Sequence, residues 1–185
     1  MITIVSTRFS NETLGQNSIY RAKHNCCVYG SPQEMSPKIL PDSLVFVIEM
    51  NNDTNQIEGV GLMYNRPLLD KYYKIYSDGN YNRYVFKSKY HVSRDVLQRF
   101  NPRMVESLDY VLFKEKTHLK RGAGFVTVPN QLLFHKKCAN LNILKELKTV
   151  FASVFGNNQE TETDREKEKD QHQEPSAIDK ISLEL

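Results

Sequence analysis

The chain has no tryptophan, only three of its 185 residues are cysteine, and no uninterrupted apolar run approaches the length of a membrane span. Each shortage excludes something. Without tryptophan, aromatic recognition falls to ten tyrosines and nine phenylalanines, which offer less stacking area. Cys26 and Cys27 are neighbours, which rarely bridge each other, and with Cys138 the odd count makes no disulfide framework. That pattern fits a reducing, intracellular compartment, cytoplasm or nucleus. A bilayer crossing needs ~20 predominantly apolar residues, so no membrane partner is expected. The first nine residues lack the charged and apolar regions of a secretory leader.

Catalytic signatures are also missing. There is no G-x-S-x-G, P-loop or H-E-x-x-H. The carboxylates Asp42, Glu49, Glu58 and Asp109 do not fall into the Asp…Glu-x-Lys arrangement of a magnesium nuclease. No catalytic residue is assigned, and the chain reads as non-enzymatic. His24, Cys26 and Cys27, then His135 and Cys138, offer zinc-type ligands in two clusters. Their spacing matches no standard zinc knuckle, so no metal or other cofactor is assigned.

Acidic residues are scarce in one part of the chain only. Of 25 Lys/Arg and 22 Asp/Glu, four and nine fall in 156–185, so residues 1–155 carry 21 and 13, a net +8, and the tail −5. A basic body suggests an anionic partner, nucleic acid first. The tail, from Asn157 onward, is too poor in apolar residues to offset the entropy of ordering, and reads as disordered and acidic. Its last eight residues, from Ile178, regain apolar character and offer a docking segment for a protein partner, although a frayed end is the simpler expectation.

The rest of the chain is organised around Leu44–Tyr64. Leu44–Ile48 is a continuous apolar run, which predicts a strand covered on both faces. A polar loop follows, then a second strand in which Gly59 and Gly61, two apart, leave one face bare for a close approach. Around this hairpin we expect a strand at Ile2–Val5, a helix from about Glu12 to Lys23, and a Pro-rich surface loop over residues 30–43. A second hairpin, Tyr72–Tyr76 with Tyr81–Lys87, is expected around the Asp78-Gly79 turn. Ser93 is placed to cap a short helix to Arg99, and Asn101-Pro102 to open a helix over 102–113. Phe125–Val128 reads as a strand. Asn140 is placed to cap a closing helix with Leu144, Leu147, Phe151 and Phe155 in one stripe and Gly156 at its C-terminal end. The fold class is α+β over 1–155, a small twisted or closed β-barrel with flanking helices, followed by the tail at 156–185.

Rings and cations coincide in this reading. Tyr81, Arg83 and Tyr84, with Tyr64, supply stacking surfaces beside a cation, and Asn82 supplies a base-edge amide. His118, Lys120 and Arg121 supply phosphate contacts, and the amides of Gly122–Gly124 an anion nest. Together they predict binding of nucleic acid, single-stranded RNA or DNA, or a flipped or modified base.

Leu44–Ile48 and Glu58-Gly59-Val60-Gly61-Leu62-Met63, within this order of elements, resemble the PUA-like barrels, which include ASCH, EVE and YTH modules. The second segment is similar to the F-x-G-V-A-x-M strand of YTH-type domains. The resemblance covers about residues 1–135 and implies a barrel that binds RNA or a modified base. The tryptophan cage of YTH pockets has no counterpart here. Phe46–Asn52, Tyr81–Tyr84 and His118–Gly124 also resemble an uncharacterised family of large cytoplasmic DNA viruses. The rival expectation, which this second resemblance would make viral, is a structural or adaptor protein whose basic face meets an acidic protein and whose terminal Ile181–Leu185 docks elsewhere.

Overall fold

The computed structural model describes residues 2–156 and 177–182. Seven strands are present among these residues: β1 (Thr3–Phe9), β2 (Cys27–Ser31), β3 (Leu44–Asn51), β4 (Gln56–Tyr64), β5 (Tyr84–Ser88), β6 (Tyr90–Ser93) and β7 (Val126–Thr127). The helices are α1 (Asn11–His24), α2 (Arg94–Phe100), α3 (Pro102–Phe113), α4 (Asn130–Leu133), α5 (Ile143–Phe155) and α6 (Ala177–Ser182). Five strands form one sheet in the order β6-β4-β3-β1-β7, and β2 pairs with β5 in a separate two-stranded sheet. β1 and β3 run parallel, with α1 and β2 in the connection between them; the remaining pairs in the large sheet are antiparallel.

β3 is buried along its whole length, as its unbroken apolar run predicts. Leu44, Phe46, Ile48 and Met50 face one core with α2, α3, α5 and α6; Val45 and Val47 face a second core with Tyr29, Val85 and Phe86 of the small sheet. The molecule is therefore layered: helices, the large sheet, then the small sheet with α1. A bulge at Glu58 sits opposite the Glu49/Met50 step, and it keeps Ile57 on the helix side together with Val60 and Leu62.

The barrel expectation is corrected. β6 and β7 end the large sheet on either side, and the sheet is open among the described residues. The second hairpin is corrected as well: Tyr72–Tyr76 forms no strand, and Gly79–Asn82 is a 3-10 turn capped by Asp78. The reason is Asn82. Its Oδ1 accepts from the amides of Ile75 and Tyr76 and its Nδ2 donates to the Tyr76 carbonyl, which folds the segment back on itself. β5 instead finds β2, whose Cys27–Tyr29 had no expected element and whose Gly30 and Ser31 fall at the start of the expected surface loop.

Helix ends are closer to expectation. Ser10 and Thr13 make a reciprocal capping box, and Asn101 caps α3 with Pro102 in its first turn. α5 is capped by Asn142, not Asn140, whose φ is +64°; its buried stripe is Ile143, Leu147, Val150 and Phe151, and Gly156 is right-handed. Ser93 holds the N-cap position of α2 without a side-chain bond.

The tail expectation splits. Residues 157–176 lie outside the described residues, while Ala177, Ile178 and Ile181 of α6 are buried against the core beside α5 and β4. The described part of the apolar end, expected to fray or dock elsewhere, thus packs on its own domain, and residues 183–185 lie outside the described residues. No helix among the described residues is long and apolar enough to cross a membrane.

The bare face of β4 has a definite occupant. A Cβ at Gly61 would strike Tyr29 Oη and approach its ring carbons to 2.9 Å; one at Gly59 would lie 2.7 Å from His91 Nε2. Gly61→Ala is expected to destabilise the fold by about 2 kcal/mol through overpacking. Gly15→Ala, in open space on exposed α1, should stabilise by roughly 0.5–1 kcal/mol. Urea unfolding of both variants reads the difference; equal effects would remove the packing role given to Gly61.

Candidate nucleic-acid interface

Two polar constellations stand out, one between the large sheet and the small sheet with α1, the other at the carboxyl ends of β1 and β3. The first surrounds Glu49, which is 1% exposed near the carboxyl end of β3. Its Oε1 accepts from Tyr29 Oη at 2.6 Å and from Arg21 Nη2 at 2.5 Å. His91 Nε2 stands 3.1 Å from the same oxygen and 3.0 Å from Arg21 Nη1; one tautomer donates to the first, the other accepts from the second. Burial alone would raise the Glu49 pKa, but the charges and hydrogen bonds of His91 and Arg21 outweigh it and hold the carboxyl well below the usual range. Burial likewise opposes the Arg21 charge, and Glu49 more than offsets it. Cys27, next to Tyr29 in sequence but one, is pushed by burial up to about 12 against the pull of Arg21, so it is a thiol at neutral pH and no nucleophile.

The second constellation is a cavity of about 260 Å³ at the carboxyl ends of β1 and β3. Thr7, Arg8 and Phe9 form one wall, Ser10 and Thr13 of the α1 start another, and Asn52 stands at the end of β3. Gly30, Tyr76, Tyr81 and the Gly122–Gly124 loop close the remainder. None of these residues is acidic. The Arg8 guanidinium donates only to carbonyls, Leu119 at 3.3 Å and Gly124 at 2.5 Å, and burial lowers its pKa. No carboxylate among the described residues pairs with it. The amides of Gly122, Ala123 and Gly124 have no acceptor among the described residues. Gly122 and Gly124 have φ of +117° and +64°, the left-handed conformations that turn this loop. Such a set of unclaimed N–H groups around a cation suits an anion. The α1 N-terminus contributes less, because Asp53 Oδ2 already takes the Asn11 amide at 2.7 Å.

The structure brings some of the expected residues to this place and not others. Tyr81, 38% exposed, lines the cavity, and Lys120 and Arg121 immediately precede its glycine loop. Arg121 is exposed, Lys120 donates to Asn55 at 2.6 Å, and His118 Nδ1 accepts from the Lys120 amide. Arg83 is exposed two residues after Tyr81. Asn82 is a correction: it is 3% exposed and its amide is spent on its own loop and Tyr72, leaving nothing for a base edge. Tyr84 is half-buried against the second core. Tyr64 is a further correction. It pairs with Leu44 at the opposite end of β3, where Lys180 covers its ring, and seven strand steps of ~3.3 Å put it roughly 23 Å away. Tyr76 and Tyr81 meet edge to face, with centroids 6.3 Å apart at 74°, and do not form the parallel walls of a cage.

The other candidates separate too. Cys27 and Cys138 belong to cores on opposite faces of the sheet, and no cluster of three metal-ligating side chains occurs among the described residues. Asp109 holds Arg94 and the Ile57 amide, Asp42 pairs with Arg66, and Glu58 holds Asn51, so the carboxylates share no site. Reading the sequence overlooked Arg8, Asn52 and Tyr76. A signal was present for Arg8: a lone cation near the end of an apolar strand, two residues before a capping serine, marks where a parallel strand hands over to a helix. Comparison with family models, curated proteins and solved structures gives no match.

Glu49→Gln is expected to destabilise the protein by about 3 kcal/mol, because Arg21 keeps its charge in a buried place without its partner. The wild-type contribution is complete above the unfolded carboxylate value of about 4.3 and is lost as pH falls below it toward the lowered folded value. Acid unfolding curves should therefore fall more steeply below about pH 4.3 in the wild type than in Glu49→Gln; parallel curves would contradict the assignment.

Proposed function

We propose that the protein is a non-enzymatic module that binds single-stranded nucleic acid, RNA before DNA, across the face carrying the Arg8 cavity. The observation that supports this most is that Tyr81 shares the cavity with Arg8 and with the glycine loop that follows Lys120-Arg121. A stacking ring beside fixed donors is the arrangement that single strands use, whereas a base inside a duplex keeps its faces covered. In this reading Tyr81 stacks a base, Arg121 and Arg83 meet the backbone from the rim, and Lys120 joins them by exchanging its bond to Asn55. Arg8 and the Gly122–Gly124 amides take a phosphate.

Fluorescence anisotropy with a labelled oligouridylate tests it. Tyr81→Ala should weaken binding by about tenfold, as expected for one lost stack of ~1–3 kcal/mol. Lys120→Ala with Arg121→Ala should reduce the slope of log affinity against log salt by about 1–2. Absence of binding at low salt to RNA and DNA alike removes the proposal.

A further inference from the structure

We infer that the Arg8 cavity is an end-binding pocket: it receives the terminal phosphate monoester of a strand, with the next base on Tyr81. This rests on the nucleic-acid reading above and adds which part of the strand enters the molecule.

Three features point to a chain end. The first is volume. About 260 Å³ corresponds to roughly eight or nine waters at ~30 Å³ each, room for a phosphate and part of a sugar. Pockets that engulf a drug-sized ligand run from ~300 Å³ upward. An internal phosphodiester must bring chain in and take chain out, whereas a chain end enters from one side only; the β1 end, the α1 start, Gly30, Tyr76 and the glycine loop bound this partly open space. The second is donor count. Two Arg8 N–H groups are fixed on the Leu119 and Gly124 carbonyls, which orients the guanidinium and leaves its other three N–H groups unassigned. With the amides of Gly122, Ala123 and Gly124, the donors exceed what the two free oxygens of a diester accept and suit the three of a monoester. The third is charge. No acidic side chain lines the cavity and Lys120 and Arg121 adjoin its glycine loop, so more than one cation meets the ligand; a monoester brings about −1.5 to −2 at neutral pH against −1 for a diester.

The test uses the full chain and four probes: a short oligouridylate with a 5′-phosphate, with a 3′-phosphate, with hydroxyls at both ends, and uridine monophosphate alone. One phosphorylated end should bind about tenfold more tightly than the unphosphorylated strand, and which end it is identifies the polarity. That preference should shrink between about pH 7.5 and 5.5 as the monoester gains its second proton near pH 6. Arg8→Gln, checked for a native melting transition, should weaken the phosphorylated strand more than the unphosphorylated one, so that the preference between them disappears. The comparison among probes needs no variant, so misfolding of Arg8→Gln would not shelter the inference. Equal affinities for all three strands overturn end binding and leave the nucleic-acid reading standing. Binding of uridine monophosphate as tight as that of a phosphorylated strand overturns it in favour of a free-nucleotide site. Failure of all four probes overturns both readings.

Discussion

An ionised carboxylate in the interior is the constraint on which this architecture depends. Glu49 lies on the face of β3 that carries Val45 and Val47, near the end of the strand, with 1% of its surface exposed. A charge so placed is costly unless it is paired and hydrogen-bonded. Three elements converge to satisfy it: Arg21 from the last turn of α1, Tyr29 from β2 and His91 from β6. Tyr29 and His91 would be mispositioned by a side chain on the neighbouring strand, and β4 carries glycine at both points of contact. The pairing of Glu49 with Gly59 across the hairpin is thus a steric and an electrostatic condition met together.

The same network shapes the cavity. Holding Tyr29 fixes Gly30, whose missing side chain admits the Tyr76 ring to within 2.8 Å of where a Cβ would be, and Ser31, which abuts Gly124. Holding Arg21 fixes the far end of α1 and so directs its first turn, with Ser10 and Thr13, to the cavity wall. The two arginines, Arg21 in the last turn of α1 and Arg8 near its start, therefore carry opposite electrostatic duties. Arg21 is neutralised by Glu49 and belongs to the framework. Arg8 faces carbonyls, has no carboxylate partner among the described residues, and is left with unassigned donors.

How much of this could be read from the sequence follows from the range of each interaction. The central hairpin, its doubly covered first strand and the paired glycines were legible because period and composition are local properties of Leu44–Tyr64. The start of α3 was legible for the same reason, with cap and proline adjacent. The second hairpin failed because Asp78-Gly79 is a turn signal whichever partner the flanking strand finds, and the competing bonds of Asn82 to Ile75 and Tyr76 leave no mark on hydropathy. β2 was hidden for a related reason: its partner, β5, lies more than fifty residues away. Of the candidate site, Tyr81 and the glycine loop were found by residue type, whereas Tyr64 was included on type alone and lies at the other end of the sheet. Arg8 escaped notice because the expected strand, Ile2–Val5, stopped short of it, whereas β1 runs on to Phe9.

The state of the Glu49 carboxyl tests the framework most directly. A carbon-13 NMR titration of selectively labelled protein follows that group alone. It should remain ionised from neutral pH down through about pH 4, with its protonation delayed until acid unfolding. A transition centred at the ordinary glutamate value of about 4.3 in folded protein would mean that Arg21, Tyr29 and His91 do not hold it, and the derivation of the cavity walls from that contact would fail.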